Sequence, residues 1–460
     1  MISTSFVELE ANLEAAVMHL SKYCNLSEAV YRVGNSLYRL AFVATTCKVV
    51  ALLVNDRKEV VLEAYSKGSL GLLRDLGVIT NTSPQNEERI QIKRLSEANL
   101  SEETRVFIPM MTAACNLACL YCGQRTRPQF MNEEITERLL GRVLEASENP
   151  RVRTIEFRWY GGEPLMAFHS LKRVSAKVKH ITENRNLTFR SMISTNGTLA
   201  TLERVRELYE IANLRLIVIT LDGAKSSHDV MRLRKSGRGS FDDILSNLTL
   251  ILSALEDLPR LQLIIRINLS KTSSGSLEVL FLQLMEIGAA HPRVRISIVP
   301  VYDWGNDNSR YKIESDTQLC DPYIKAVRDL AKTNLSQNIF PLNEKGRICS
   351  AVSRQEEVIS PDGALYSCTE YPIVPKYERE EVLGNIGEIP LRHLRPSGKF
   401  DNWLETKQAQ QCRSCTFLPA CGGTCPKRWF DGESACPQFR IHFQALLDVW
   451  AEKHGLEKDE

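Results

Sequence analysis

Val106-Phe107-Ile108-Pro109-Met110-Met111 and, after a three-residue gap, Cys115-Asn116-Leu117-Ala118-Cys119-Leu120-Tyr121-Cys122 form the stretch around which the chain is organised. The apolar run predicts a buried strand. The three cysteines, spaced C-x3-C-x2-C, sit at its carboxyl end on a loop tight enough to turn three thiolates inward. Structural zinc takes four protein ligands, and three only where one position is kept open for chemistry. A cubane iron–sulfur cluster normally takes four thiolates. Three thiolates therefore leave one iron free to bind something else. The competing reading is a structural zinc loop that lacks its fourth ligand.

The C-x3-C-x2-C spacing, with Tyr121 just before the last cysteine, resembles the signature of radical S-adenosylmethionine (SAM) enzymes. That resemblance implies that Cys115, Cys119 and Cys122 hold a [4Fe-4S] cluster whose open iron is chelated by SAM. It also implies a 5′-deoxyadenosyl radical that abstracts hydrogen from a substrate, with Tyr121 beside the adenine. The protein's share of such chemistry is binding, aiming and shielding.

Length and composition bound the rest. At 460 residues the chain has room for about three domains of roughly 100–200 residues each. A 43% hydrophobic and 25% charged composition is that of an ordinary globular protein. A net charge of +2 sets up no field for nucleic acid. No apolar run approaches the ~20 residues of a membrane span. Met1-Ile2-Ser3-Thr4 lacks the basic and apolar regions of a signal peptide. Thirteen cysteines in such a chain point to thiolate ligands in a reducing cytoplasm and not to disulfides.

Residues 1–100 carry no cysteine cluster. Leu9, Leu13, Val17 and Leu20 predict an amphipathic helix over 7–23. Strand-like runs follow at 40–44, 49–54 and 59–64. A short helix over 69–76 ends at Gly77, and 81–101 reads as a polar linker. This order resembles the winged-helix leader-peptide recognition elements of peptide-modifying enzymes, the alternative being a structural α+β cap. Cys24 and Cys47 read as packing residues.

From residue 105 strands alternate with helices. Strands are expected at 105–111, 154–160, 189–195, 214–221, 261–269 and 294–301. Helical periodicities lie between them: Ile135/Leu139/Val143, Leu171/Val174/Val178/Ile181, Leu202/Val205/Leu208/Ile211 and Phe241/Ile244/Leu248/Ile251/Leu255. Such an α/β alternation requires a parallel sheet, either doubly wound or an incomplete barrel. The resemblance favours the partial (β/α)6, TIM-like radical SAM barrel, in which chemistry sits at the carboxyl ends of the strands.

The motifs fall at those ends. Strand two runs into Gly161-Gly162-Glu163-Pro164, which matches the family motif that holds the amino group of SAM. Without the family, it is a tight turn with a glutamate. Strand three leads into Ser194-Thr195-Asn196-Gly197. Strand four leads into Thr220-Leu221-Asp222-Gly223, with His228, Asp229, Arg232 and Arg234 beyond. Ser194, Asn196, Thr220 and Asp222 are candidates for the ribose hydroxyls, and Arg232 or Arg234 for the methionine carboxylate. Asn-Gly and Asp-Gly also simply form turns. Tyr302 and Asp303, past strand six, are candidates for finishing the reaction.

The last third holds seven more motif cysteines. Cys349, Gly363 and Cys368 follow C-x13-G-x4-C, and Cys412, Cys415, Cys421, Cys425 and Cys436 come later. They resemble the SPASM extension with up to two auxiliary [4Fe-4S] clusters, zinc being the alternative. By family pattern Cys412, Cys415, Cys421 and Cys436 ligate the outer cluster, and Cys349, Cys368 and Cys425 the inner one. Cys320 is the nearest spare thiol.

The expected division is therefore an N-terminal domain (1–100), a barrel (101–310), a bridge (311–348), a SPASM domain (349–440) and a C-terminal helix or tail (441–460). The resemblance implies three [4Fe-4S] clusters and SAM. It implies a ribosomally made precursor peptide with a leader as substrate, and a flavodoxin- or ferredoxin-type reductant. Nucleic acid and membrane are not expected partners. The expected activity begins with hydrogen abstraction and leads to crosslinking or other side-chain or backbone modification. The alternatives are a sulfatase-maturase-type or other SPASM dehydrogenase, and an iron–sulfur electron carrier without catalysis.

Overall fold

Six strands run parallel and lie side by side in the order of the sequence: β1 (Thr104–Pro109), β2 (Thr154–Trp159), β3 (Thr188–Thr195), β4 (Leu214–Thr220), β5 (Gln262–Leu269) and β6 (Val294–Pro300). A doubly wound sheet reverses its strand order at a switch point. Within these six strands the order never reverses, so their winding is that of the partial barrel. Helices Glu133–Glu148, Phe168–Asn184, Leu202–Ile211, Phe241–Ser253 and Leu277–Glu286 make the crossovers. Each buries one stripe, such as Leu171, Val174 and Val178, as the 3.6-residue period requires. The computed structural model describes residues 18–305, 311–336, 338–388 and 394–459.

The sheet does not stop at six strands. β7 (Glu356–Ile359) pairs parallel with β1, β8 (Ala364–Tyr366) pairs antiparallel with β7, and β9 (Gly384–Asn385) antiparallel with β8. The C-x13-G-x4-C spacing is thereby explained. Gly363, at φ +83°, turns the β7–β8 hairpin between Cys349 and Cys368. A Cβ there would lie 2.9 Å from Ile386 Cγ2, so only glycine fits both the turn and its packing.

These strands belong to one compact unit, Leu100–Gln337 with Cys349–Asp401. The other unit comprises the described residues up to Asn99, Asn338–Ile348 and those from Asn402 onward. Cys349 and Cys368 thus fall in the first unit, and the five later motif cysteines in the second. In the second unit, Cys24–Val33, Ser36–Val43 and Lys48–Leu53 form an antiparallel meander. The C-terminal Glu457–Lys458 pairs with Cys24–Val33. Phe42 stacks on Phe340 at 4.8 Å, and Phe417 meets Phe443 edge-on at 5.0 Å, so residues far apart in sequence share one aromatic core.

Several local expectations are corrected. Most of the helix expected over 7–23 lies outside the described residues, but His19–Leu20 is a strand paired with Ile79–Thr80. The supposed linker is a 17-residue helix, Pro84–Leu100, that buries only Gln91 and Leu95. With no apolar stripe it gave no periodic signal. Of the run at 59–64, Val60 makes a single bridge to Val54 and Leu62–Ala64 is a 3-10 turn. The bridge region contains a further helix, Asp316–Ala331, which carries Cys320.

Candidate active site

The loop after β1 is locked to the turn after β2 through backbone. Glu163 N–H donates to Ala114 O at 2.8 Å. A Cβ on Gly162 would stand 2.3 Å from Ala114 O, and one on Gly161 2.8 Å from Thr112 O. The two glycines therefore exist for the approach of two backbones, which a side chain would block. Cys115, Cys119 and Cys122 line a cavity of about 270 Å³ at the carboxyl ends of the strands. Burial pushes the Cys115 thiol up to about 11 and also raises that of Cys119. A metal must displace those protons to bind, which ties loading to pH.

Glu163 is wholly buried and does not line the cavity. Its Oε1 accepts from Thr195 Oγ1 at 2.7 Å and Leu165 N at 3.0 Å, and its Oε2 accepts from Asn196 N at 2.7 Å. Burial raises its pKa, with these hydrogen bonds pulling the other way. Three of roughly four acceptor positions are filled, which leaves one for a further donor. Asn196 in turn donates through Nδ2 to Asn116 Oδ1 at 2.8 Å, next to Cys115.

On the other side of the loop, the Tyr121 hydroxyl uses all its capacity. It donates to Asp222 Oδ2 and accepts from Arg232 Nη1 at 2.6 Å and Asn268 Nδ2 at 2.9 Å. Asp222, itself buried, accepts from Asn268 N at 2.8 Å and lies 3.6 Å from Arg232 Nη1. Burial alone would lower the Arg232 pKa, but Tyr121, Cys119 and Asp222 hold it above its ordinary range. His228 is structural. Its Nδ1 accepts from Asp222 N at 3.1 Å, and its Nε2 meets Ser240 Oγ, which donates to the Arg232 carbonyl. Asp229 caps the next helix at Ser240 N and Phe241 N. Arg234 pairs with Asp243 and not with the cavity.

Of the residues singled out in sequence, Cys115, Cys119, Cys122, Tyr121, Gly162, Ser194, Asn196, Thr220, Arg232 and Tyr302 line this one cavity. Gly161, Glu163, Asp222 and Asp303 stand behind it. Asp303 accepts from Gly305 N at 2.7 Å and so shapes a turn. Sequence reasoning missed Tyr160, Arg266, Asn268, Trp304 and Glu370 in the lining.

The site fits a SAM-chelated cluster by one independent observation. Arg232 Nε is buried and has no hydrogen-bond partner among the described residues. An orphaned cationic donor beside three thiols suits an anionic cofactor group. Among the described residues, no three His, Cys, Asp or Glu side chains are gathered closely enough to ligate a single metal ion, the three thiols of this loop included.

Residues 110–265 match the model of the radical SAM superfamily. The chain is 24% identical, over 77% of its length and 92% of the relative's, to a serine-type anaerobic sulfatase-maturating enzyme of Bacteroides thetaiotaomicron. It is 23% identical, over 70% and 87%, to a cysteine-type anaerobic sulfatase-maturating enzyme of Clostridium novyi. The solved structure of anSMEcpe with bound AdoMet and Cp18Cys peptide matches 76% of this chain and 98% of that one, at 18% identity and a TM-score of 0.55. That likeness establishes the fold. No helix among the described residues is long and apolar enough to cross a membrane.

Proposed function

We propose that this chain, which carries a radical SAM domain followed by a cysteine-rich C-terminal region, modifies a peptide or protein after hydrogen abstraction. The observation that carries the proposal is that the three thiols, Arg232 and a second wall of Tyr160, Tyr302 and Trp304 face one cavity. When bound and reduced, the cluster and SAM supply a 5′-deoxyadenosyl radical. Cys115, Cys119 and Cys122 hold the cluster. Tyr121, Ser194, Asn196 and Thr220 flank the cofactor, with Asp222 behind them fixing Tyr121. Glu163, behind the cavity, holds Asn196 and the turn after β2 in place around the cofactor, and Arg232 Nε meets the SAM carboxylate. Tyr302 faces the substrate.

The peptide substrate is supported by relatives named for sulfatase maturation and by a neighbour that holds a peptide. A dehydrogenation of the sulfatase-maturase type is the other reading of the same chemistry. A plain electron carrier needs cluster ligands alone, and the buried Glu163 and Arg232 networks have no purpose in it. The later cysteines hold two auxiliary clusters, which with the one on the loop after β1 makes three [4Fe-4S], and a flavodoxin- or ferredoxin-type protein supplies electrons. In the other unit, Lys48–Leu53 ends its sheet and offers an edge to which a leader peptide can add as a strand. Mixing the reconstituted enzyme with candidate peptides, SAM and reductant tests the proposal. A mass change in a peptide, coupled to 5′-deoxyadenosine, supports it. SAM cleavage that no peptide or protein stimulates counts against it.

A further inference from the structure

The wall of the cavity that includes β5 carries a cation with no assigned task. Along β5, Leu263, Ile265 and Ile267 are fully buried, while Ile264, Arg266 and Asn268 alternate with them on the less buried side. That period-2 alternation puts Arg266 and Asn268 on one face, and both line the cavity. Asn268 is held in place because its Nδ2 donates to Tyr121 OH at 2.9 Å. Its Oδ1 therefore points the other way, and accepts from Arg266 Nε at 2.9 Å.

That bond uses one of the five N–H donors of Arg266. Among the described residues no carboxylate pairs with Arg266, and its Nη1 and Nη2 have no hydrogen-bond partner. Other inward arginines of the unit are matched: Arg105 and Arg142 by Glu357, Arg158 by Glu356, Arg232 by Asp222 and Arg395 by Asp401. Glu370, which lines the same cavity, accepts from Tyr160 OH at 3.2 Å. Arg266 thus presents the end-on edge of its guanidinium, fixed at Nε, to the open space. That edge matches the two oxygens of a carboxylate.

We propose that Arg266 is a specificity-determining residue that binds a carboxylate of the peptide substrate through Nη1 and Nη2. The proposal rests on the reading that this cavity holds SAM and a peptide. The carboxylate comes either from an Asp or Glu side chain or from the peptide's C-terminus. The cofactor's own carboxylate is the rival, and the orphaned Arg232 Nε beside the cluster thiols is the better match for it.

The test is anaerobic calorimetry on the full, cluster-loaded enzyme with SAM present. The probes are three capped peptides: acetyl-Gly-Glu-Gly-amide, its Gln counterpart, and acetyl-Gly-Gly-Gly with a free carboxyl end. We expect one carboxylate peptide to bind at least about tenfold more tightly than the neutral Gln peptide, and which one does so names the source. Arg266→Gln should abolish that preference, and Arg266→Lys, which keeps the charge but loses the fork, should retain part of it. Equal binding of the three by wild type, or no binding, overturns the proposal, as does a preference that survives Arg266→Gln. Weakened SAM binding in Arg266→Gln with the peptide preference intact assigns the residue to the cofactor and also overturns it. Failure of the underlying reading appears separately, as wild-type enzyme that makes no 5′-deoxyadenosine.

Discussion

The backbone N–H of Asn196 donates to Glu163 Oε2 at 2.7 Å, tying the turn after β2 to the end of β3 beneath the cluster loop. The buried carboxylate is thus a structural tie. Glu163→Gln keeps the shape but turns an NH2 toward one of the two backbone donors, Leu165 N or Asn196 N. Leaving a buried donor unsatisfied costs about 1–3 kcal/mol. We expect a lower denaturant midpoint with an unchanged slope. An unaltered midpoint would show that the tie contributes nothing.

Gly162→Ala places a methyl 2.3 Å from Ala114 O and 2.7 Å from Ala114 C. Both are backbone atoms, so the cluster loop itself must move. Overpacking of this kind costs about 1–3 kcal/mol. The variant should lose the SAM-binding cluster selectively, with roughly one-third of the iron if each of three sites holds four. Wild-type iron content with full SAM cleavage would contradict that.

His228 makes stability depend on pH. Burial, together with the Arg232 charge, lowers its pKa from the ordinary 6.5 to about 3. The folded state therefore refuses a proton that the unfolded chain accepts. The stability is fully present above pH 6.5 and is lost as pH falls below it, down to about 3. At pH 5 the loss is about 2 kcal/mol. Thermal midpoints from pH 7.5 to 5 should fall, and His228→Asn should flatten the slope. A slope unchanged in that variant would place the titrating group elsewhere.

The sequence made the cavity's first wall legible and hid the second. Cys115, Cys119 and Cys122 read correctly as one loop because thiolate spacing is local. Arg266 and Asn268 left a fainter trace, two polar residues at period two in the otherwise apolar Leu263–Leu269. A buried parallel strand reads as a nearly continuous apolar run, so that interruption was the available signal. Glu370 and the β7–β9 addition depend on pairing between residues some 250 positions apart, such as Val106 with Glu356. No local pattern encodes such a pairing. The helix Pro84–Leu100 was hidden for the opposite reason, since its polar surface carries no stripe to count.

The central claim is that the loop after β1 starts a radical reaction, and one measurement addresses it directly. Reconstituted wild type and the Cys115→Ala/Cys119→Ala/Cys122→Ala variant are each incubated anaerobically with SAM and dithionite, and 5′-deoxyadenosine and methionine are quantified alongside iron. Wild type should form both products in equal amounts, while the variant forms neither yet keeps most of its iron on the later cysteines. SAM cleavage by the variant, or none by wild type, would contradict the account.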